Sequence, residues 1–146
     1  MTNLFVYGTL QFPQVVKKLT NKNFKSKQAI LKDHKIYQID PADKDEMCPA
    51  IIPEKNSIVE GKILFDVDDK SLDIINFFES DKYAREILTI QTKDNQTHKA
   101  LVFVWKNYLK EELKGKWDIK KFEKNYLNDC LKNTLPQVIK EYKKQD

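Results

Sequence analysis

The chain alternates short apolar blocks with charged, turn-forming stretches. Leu4 to Tyr7 is an apolar run ended by Gly8, the pattern of a buried strand that feeds a loop. Pro13 is placed to open a short helix through Val15, Val16 and Leu19. Residues 27–39, with Ala29, Ile30, Leu31, Ile36, Tyr37 and Ile39, read as one or two strands. Asp40-Pro41 then opens a polar loop that runs to Glu46. Ala50 to Ile52, held between Pro49 and Pro53, reads as a short extended piece. Ile58 to Val67 is the longest predicted strand, and Gly61 within it marks a bulge or a close backbone approach.

Asp68 or Asp69 can cap a helix whose apolar positions are Leu72, Ile74, Ile75, Phe77 and Phe78. Tyr83–Thr92 and Lys99–Lys106 are predicted strands joined through Asp94-Asn95, a hairpin by its turn chemistry. A final helix is expected after Asp118, because Ile119, Phe122, Tyr126 and Cys130 recur at helical spacing and Leu127 and Leu131 widen the stripe. Pro136 is placed to open one last short helix. Strands outnumber helices and do not alternate with them, which argues against a doubly wound sheet. The pattern predicts an α+β fold: a small, mostly antiparallel β-barrel or curled sheet with helices at its rim and a C-terminal helix across it.

Length and composition narrow the setting. At 146 residues the chain suits one domain, taken here as residues 1–146. A chain of this size buries about 68–70% of its unfolded surface and needs no covalent staple. Cys48 and Cys130 lie far apart, with no Cys/His cluster at metal spacing, so reduced thiols in the cytoplasm are expected and no metal or cofactor. No signal-like segment opens the chain, and its longest apolar run is far too short to span a bilayer. The net charge is +4. Basic and acidic residues balance as far as Trp105, and the lysine surplus falls after it, interleaved with acids as on a solvated helical face rather than a nucleic-acid surface.

Familiar catalytic signatures are absent. His34 and His98 sit in predicted strands without ligand-spaced partners. Two clusters remain. In Tyr7-Gly8-Thr9-Leu10 a strand breaks at a glycine, which permits an unusual backbone angle and close approach of a ligand. Successive N–H groups there can cradle a carboxylate. The ordinary alternative is a plain strand-to-helix turn. In Phe77-Phe78-Glu79-Ser80-Asp81-Lys82-Tyr83-Ala84-Arg85, a carboxylate follows two aromatic rings at a helix end. Such a setting raises a carboxyl pKa towards neutrality and suits general acid–base work. Arg85 is the only arginine among 26 basic residues, which points to a position needing a planar, multi-donor fork. The alternative is an ordinary helix end followed by a half-exposed strand.

Taken together, these blocks resemble the gamma-glutamyl cyclotransferase-like family, including its avirulence-induced-gene-like and gamma-glutamylamine cyclotransferase branches. The likeness runs through LFVYGTL (Leu4–Leu10), CPAIIP (Cys48–Pro53), IVEGKILFDV (Ile58–Val67), FFESDKYAR (Phe77–Arg85), LVFVW (Leu101–Trp105) and the helix after Trp117-Asp118. Their order and spacing carry it, rather than any single block. Three positions depart from the usual pattern: Ser80 where glycine is common, Asn76 where an acidic residue is common, and Cys48 where an aromatic residue is common.

The resemblance implies a small β-barrel with flanking helices. It also implies a reaction in which the α-amine of a gamma-glutamyl group attacks its own γ-carbonyl, giving 5-oxoproline and a released amine or amino acid. By position, Glu79 would be the general acid/base, Tyr7, Gly8, Thr9 and Leu10 would hold the glutamyl moiety, and Tyr83 would line the pocket. Arg85 would support the loop after Glu79. The partner would be a small gamma-glutamyl molecule, with no metal, nucleic acid or membrane. The alternative from another class is a protein of the same fold that binds a gamma-glutamyl or other carboxylate ligand without turning it over.

Overall fold

The computed structural model describes residues 1–39 and 48–145, so the polar loop expected at 40–46 lies outside the described residues. Five strands, β1 (Thr2–Val6), β2 (Ser26–Gln38), β3 (Pro49–Val67), β4 (Tyr83–Thr92) and β5 (Thr97–Trp105), close into a barrel in the order β1-β3-β2-β4-β5. Every pairing is antiparallel except that of β1 with β5, which meet in parallel at Leu4 and Leu101. The expected mostly antiparallel barrel with flanking helices is the fold that forms.

The apolar run of β1 shows why the barrel and the helices cohere. Side chains alternate across a strand, so Phe5 and Tyr7 enter the barrel interior with Ile51, Ile63, Ile90 and Val102. Leu4 and Val6 face the other way, beneath a helical layer that includes Val15, Leu19, Ile75, Phe122 and Leu135. A strand covered on both faces has no polar side to display, hence its unbroken hydrophobicity.

The two extended segments expected at 50–52 and 58–67 are one strand, β3. Between them Glu54–Ser57 forms an irregularity in the ladder, where the β2–β3 register shifts between Lys32 and His34. Asp33 (φ 60°) and Asn56 (φ 68°) adopt left-handed backbone there, and the Asn56 N–H donates to Asp33 Oδ1 at 3.0 Å. Gly61 marks a close approach: a Cβ at that position would lie 2.3 Å from the Val6 carbonyl oxygen and 2.9 Å from the Phe5 ring.

Helix α1 (Pro13–Thr20) starts on its proline, and Asn21 ends it in the left-handed conformation (φ 61°). Helix α2 (Asp69–Glu79) is capped by Asp68, whose carboxylate accepts from the Ser71 N–H at 3.2 Å. The C-terminal stripe expected as one helix is divided. Helix α3 (Ile119–Asn125) stops at Tyr126, and α4 (Leu127–Asp129) leads through a π-helical turn (Cys130–Thr134) into α5 (Leu135–Lys143). Pro136 has no N–H to give to the carbonyl four residues back and its ring crowds that group. The wider turn, in which the Leu135 N–H reaches back to the Cys130 carbonyl, falls just before it.

Candidate functional site

The C-terminal ends of β1 and β5 and the N-terminal ends of β3 and β4 lie at the same end of the barrel. They surround a cavity of about 250 Å³. Its floor is aromatic and buried: Phe5 and Tyr7 from β1 and its edge, Tyr83 from β4, Phe103 and Trp105 from β5. The Gly8–Leu10 turn and Cys48-Pro49 form two sides. Phe78, Glu79 and Ser80 at the end of α2 form a third, and Thr134 and Val138 from the C-terminal helical segment form the outer wall. Tyr7, Gly8, Thr9, Leu10, Glu79 and Tyr83, the six residues singled out in the sequence, all line this one cavity.

Glu79 is the last residue of α2 and is half-buried. Loss of water raises its pKa from the ordinary carboxylate range to about 7, with the Arg85 guanidinium pulling in the opposite direction. A helix C-terminus carries partial negative charge, which also disfavours a carboxylate there. Of the two preceding phenylalanines, only Phe78 lines the cavity; Phe77 packs on Tyr142, with ring centroids 5.6 Å apart. Ser80 follows with φ 76° and ψ 175°, and turns the chain sharply out of the helix.

The two tyrosines are fixed by main-chain carbonyls. The Tyr7 hydroxyl donates to the Phe103 carbonyl at 2.6 Å, and the Tyr83 hydroxyl donates to the Pro49 carbonyl at 2.8 Å. Burial, and then the neighbouring Glu79, pushes the Tyr7 phenol pKa well above its ordinary value, so it stays protonated. The Tyr83 ring meets Trp105 edge-on at 5.1 Å.

Gly8 begins a single 3₁₀ turn (Thr9–Gln11), held by the Gln11 N–H on the Gly8 carbonyl at 3.0 Å and by Gln11 Nε2 on the Tyr7 carbonyl at 2.7 Å. The leading N–H groups of such a turn have no acceptor within it. The close approach expected at Gly8 is made by a protein ring: a Cβ there would stand 2.5 Å from Pro49 Cγ.

Arg85 uses its whole fork. Nε donates to Asn76 Oδ1 at 2.9 Å, Nη2 to the Asn76 carbonyl at 3.0 Å and Nη1 to the Tyr83 carbonyl at 2.8 Å. The guanidinium also lies over Phe103, 5.1 Å from the ring centroid. His34 and His98 do not line the cavity; His34 Nδ1 lies 3.0 Å from the Lys32 carbonyl, and His98 packs edge-on against Phe65 at 5.2 Å. No group of three His, Cys, Asp or Glu side chains among the described residues is arranged to hold a metal ion. Nor is any helix among them long and apolar enough to cross a membrane.

Sequence reasoning did not place Phe103, Trp105, Thr134 or Val138 in the site. The strand alternation that buries Val102 and Val104 in the barrel turns Phe103 and Trp105 to the other face, so that pair was within reach of the pattern. Thr134 and Val138 are brought in by the fold of the C-terminal segment and carry no local signal.

A closed barrel with a carboxylate presented at one end by a rim helix defines a class of α+β proteins built around one small pocket. The family model for gamma-glutamyl cyclotransferase, AIG2-like, matches residues 4–121, and the chain belongs to that family. It is 32% identical to AIG2-like protein D of Arabidopsis thaliana over 92% of this chain and 87% of that one. Among solved structures, a protein from Arabidopsis thaliana superposes with a TM-score of 0.70 at 22% identity, covering 91% of this chain and 87% of its own. A gamma-glutamyl cyclotransferase superposes with a TM-score of 0.58 at 14% identity, covering 96% and 98%. An AIG2-like protein from Mus musculus does so with a TM-score of 0.59 at 21% identity, covering 81% and 88%.

Proposed function

We propose that this protein is a gamma-glutamyl cyclotransferase that works in the cytoplasm on a small gamma-glutamyl compound, with Glu79 as its general acid/base. The observation that carries the reading is a carboxyl group held near neutrality at the wall of an otherwise aromatic and apolar pocket. A group of that strength can both take and return a proton at physiological pH.

In this reaction Glu79 accepts a proton from the substrate α-ammonium. The freed amine nitrogen attacks the γ-carbonyl carbon, and its electrons move onto the carbonyl oxygen. The carbonyl then re-forms as the bond to the leaving nitrogen breaks. Glu79 returns its proton to that nitrogen and then passes on the second proton of the ring nitrogen, so that the lactam is neutral and the amine departs as its ammonium form. The products are 5-oxoproline and an amine or amino acid, and no water is consumed. The main-chain N–H groups of the Gly8–Leu10 turn hold glutamyl oxygens, and Tyr83 shapes the pocket beside them. Nucleophile and electrophile share one molecule, so holding it in a ring-closing pose contributes on the order of 7–11 kcal/mol. One placed proton-transfer group adds roughly 10²–10⁴-fold, which suits a site with so few polar side chains.

The test is 5-oxoproline release from a panel of gamma-glutamyl amino acids and gamma-glutamyl amines, with Glu79→Gln alongside. Release by the wild type and its loss in a folded Glu79→Gln protein is the expected result. Saturable binding of these compounds without release would make the protein a carboxylate binder of the same fold, and unchanged release by Glu79→Gln would remove the carboxylate from the mechanism.

A further inference from the structure

Arg85 does not line the cavity, yet it touches two residues that do, Tyr83 and Phe103, and the last turn of the helix that carries Glu79. Three of its nitrogens are committed, two to Asn76 and one to the Tyr83 carbonyl. Asn76 lies three residues before Glu79, in the last turn of α2, and its carbonyl also accepts the Ser80 N–H at 3.2 Å. The same carbonyl therefore takes both the helix-closing bond and the Arg85 Nη2 bond. On the other side, the Tyr83 carbonyl belongs to the residue whose hydroxyl reaches Pro49 across the pocket. Beneath the guanidinium, Phe103 supplies the carbonyl that receives the Tyr7 hydroxyl.

We propose that Arg85 is a positioning residue for Glu79: its fork fastens the final turn of α2 to the head of β4, and so sets where the carboxylate enters the pocket. The proposal rests on the cyclotransferase reading for its kinetic consequence, but not for its structural one. A helix end followed by a residue with positive φ is a poor anchor by itself. Here the helix and the strand after the turn are bridged by donors whose spacing is fixed by a planar group. A lysine in the same place has one nitrogen and cannot serve three acceptors in this arrangement. That explains why a chain that uses lysine at every other basic position uses arginine here.

Arg85 also bears on the proton of Glu79. Among the described residues, the titratable and charged groups that share the cavity with that carboxylate are Tyr7 just after β1, Cys48 before β3, Lys82 in the turn after α2 and Tyr83 from β4, with Arg85 acting on it from β4; the C-terminal segment brings the uncharged Thr134 and Val138. Arg85 is the charge that favours ionised Glu79 against burial. Fastening and charge are separable by substitution.

The experiment compares wild type, Arg85→Met and Arg85→Lys, measuring kcat and KM for 5-oxoproline release and the titration of Glu79 by ¹³C NMR of its side-chain carboxyl. For Arg85→Met we expect kcat to fall by roughly 10–100-fold, the scale of a small misplacement of a reacting group. KM should change little, and Glu79 should titrate at higher pH than in the wild type. Arg85→Lys keeps the charge without the fork, so the titration should return towards that of the wild type while kcat stays low. If Arg85→Met is poorly folded, Asn76→Ala removes the acceptor of Nε and leaves the charge; kcat should again fall. Wild-type kcat with an unmoved titration in Arg85→Met, or full activity in Asn76→Ala, overturns the proposal. If the wild type releases no 5-oxoproline, it is the cyclotransferase reading that fails. The backbone amide resonances of Glu79 and Ser80 then decide: they should move in both Arg85→Met and Arg85→Lys, because both lose the fork, and unmoved resonances end the proposal.

Discussion

Ser80 stands directly after Glu79 with φ 76° and ψ 175°, so the carboxylate is followed by a backbone conformation that belongs almost entirely to glycine. A side chain there costs about 1–3 kcal/mol, and the greater freedom of glycine in the unfolded chain returns part of that sum. Ser80→Gly should therefore stabilise the protein by about 1 kcal/mol, raising Tm by about 2–4 °C in a chain of this size. Thermal unfolding checks it; a lower Tm would mean that the Ser80 hydroxyl, which accepts from the Lys82 N–H at 3.4 Å, outweighs the strain.

The acidity of Glu79 makes stability depend on pH. Its pKa is raised from 4.5 to about 7 in the fold. The native state therefore holds the proton more tightly than the unfolded chain. This contribution is complete below about pH 4.5 and is lost as pH rises through about 7. Glu79→Gln has no charge to bury, so it should match the wild type near pH 4 and exceed it by up to roughly 3 kcal/mol at pH 8. Urea unfolding at the two pH values reads the difference directly. For the proposed reaction, in which the carboxylate is the base, kcat/KM should rise with pH through about 7 and then level off.

Two glycines should separate fold from site. Alanine at Gly61 would drive its Cβ to 2.3 Å from the Val6 carbonyl oxygen, a main-chain atom in the barrel wall. We expect a loss of about 3 kcal/mol, the upper part of the usual overpacking range. Alanine at Gly8 would press on the Pro49 ring at the pocket side instead. There we expect a loss of about 1 kcal/mol, with ligand affinity or turnover reduced well beyond that. Equal effects on stability would contradict the distinction.

At the far end of the barrel, His98 Nε2 is buried without a hydrogen-bond partner among the described residues. An unsatisfied buried polar atom costs about 1–3 kcal/mol, whereas an apolar replacement of similar shape is neutral or better. His98→Leu should therefore raise stability by up to about 1 kcal/mol without altering the pocket. A clear fall in the urea midpoint would assign more weight to the ring contact with Phe65.

Much of this was legible residue by residue. The unbroken hydrophobicity of Leu4–Tyr7 announced a strand covered on both faces, Asp68 announced the start of α2, and Asp94-Asn95 announced the hairpin. A lone arginine near a carboxylate flanked by rings announced where the fork would be needed. The misses have a common cause. Glu54–Ser57 looks like a loop in isolation, and continues a strand only because β2 lies alongside with Asp33 to receive the Asn56 N–H. Tyr126 keeps the helical spacing of its stripe, yet the helix ends there (φ −128°, ψ −22°), a backbone break that side-chain periodicity does not register. Thr134 and Val138 reach the pocket only through that rearrangement.

The barrel interior is solid: Phe5, Ile51, Ile63, Ile90 and Val102 fill it with no more than 1% of any side chain exposed. The pocket is therefore blind on its barrel side: what enters it cannot pass on through the barrel. If the proposed reaction takes place there, both fragments leave by the end of the barrel at which the substrate entered.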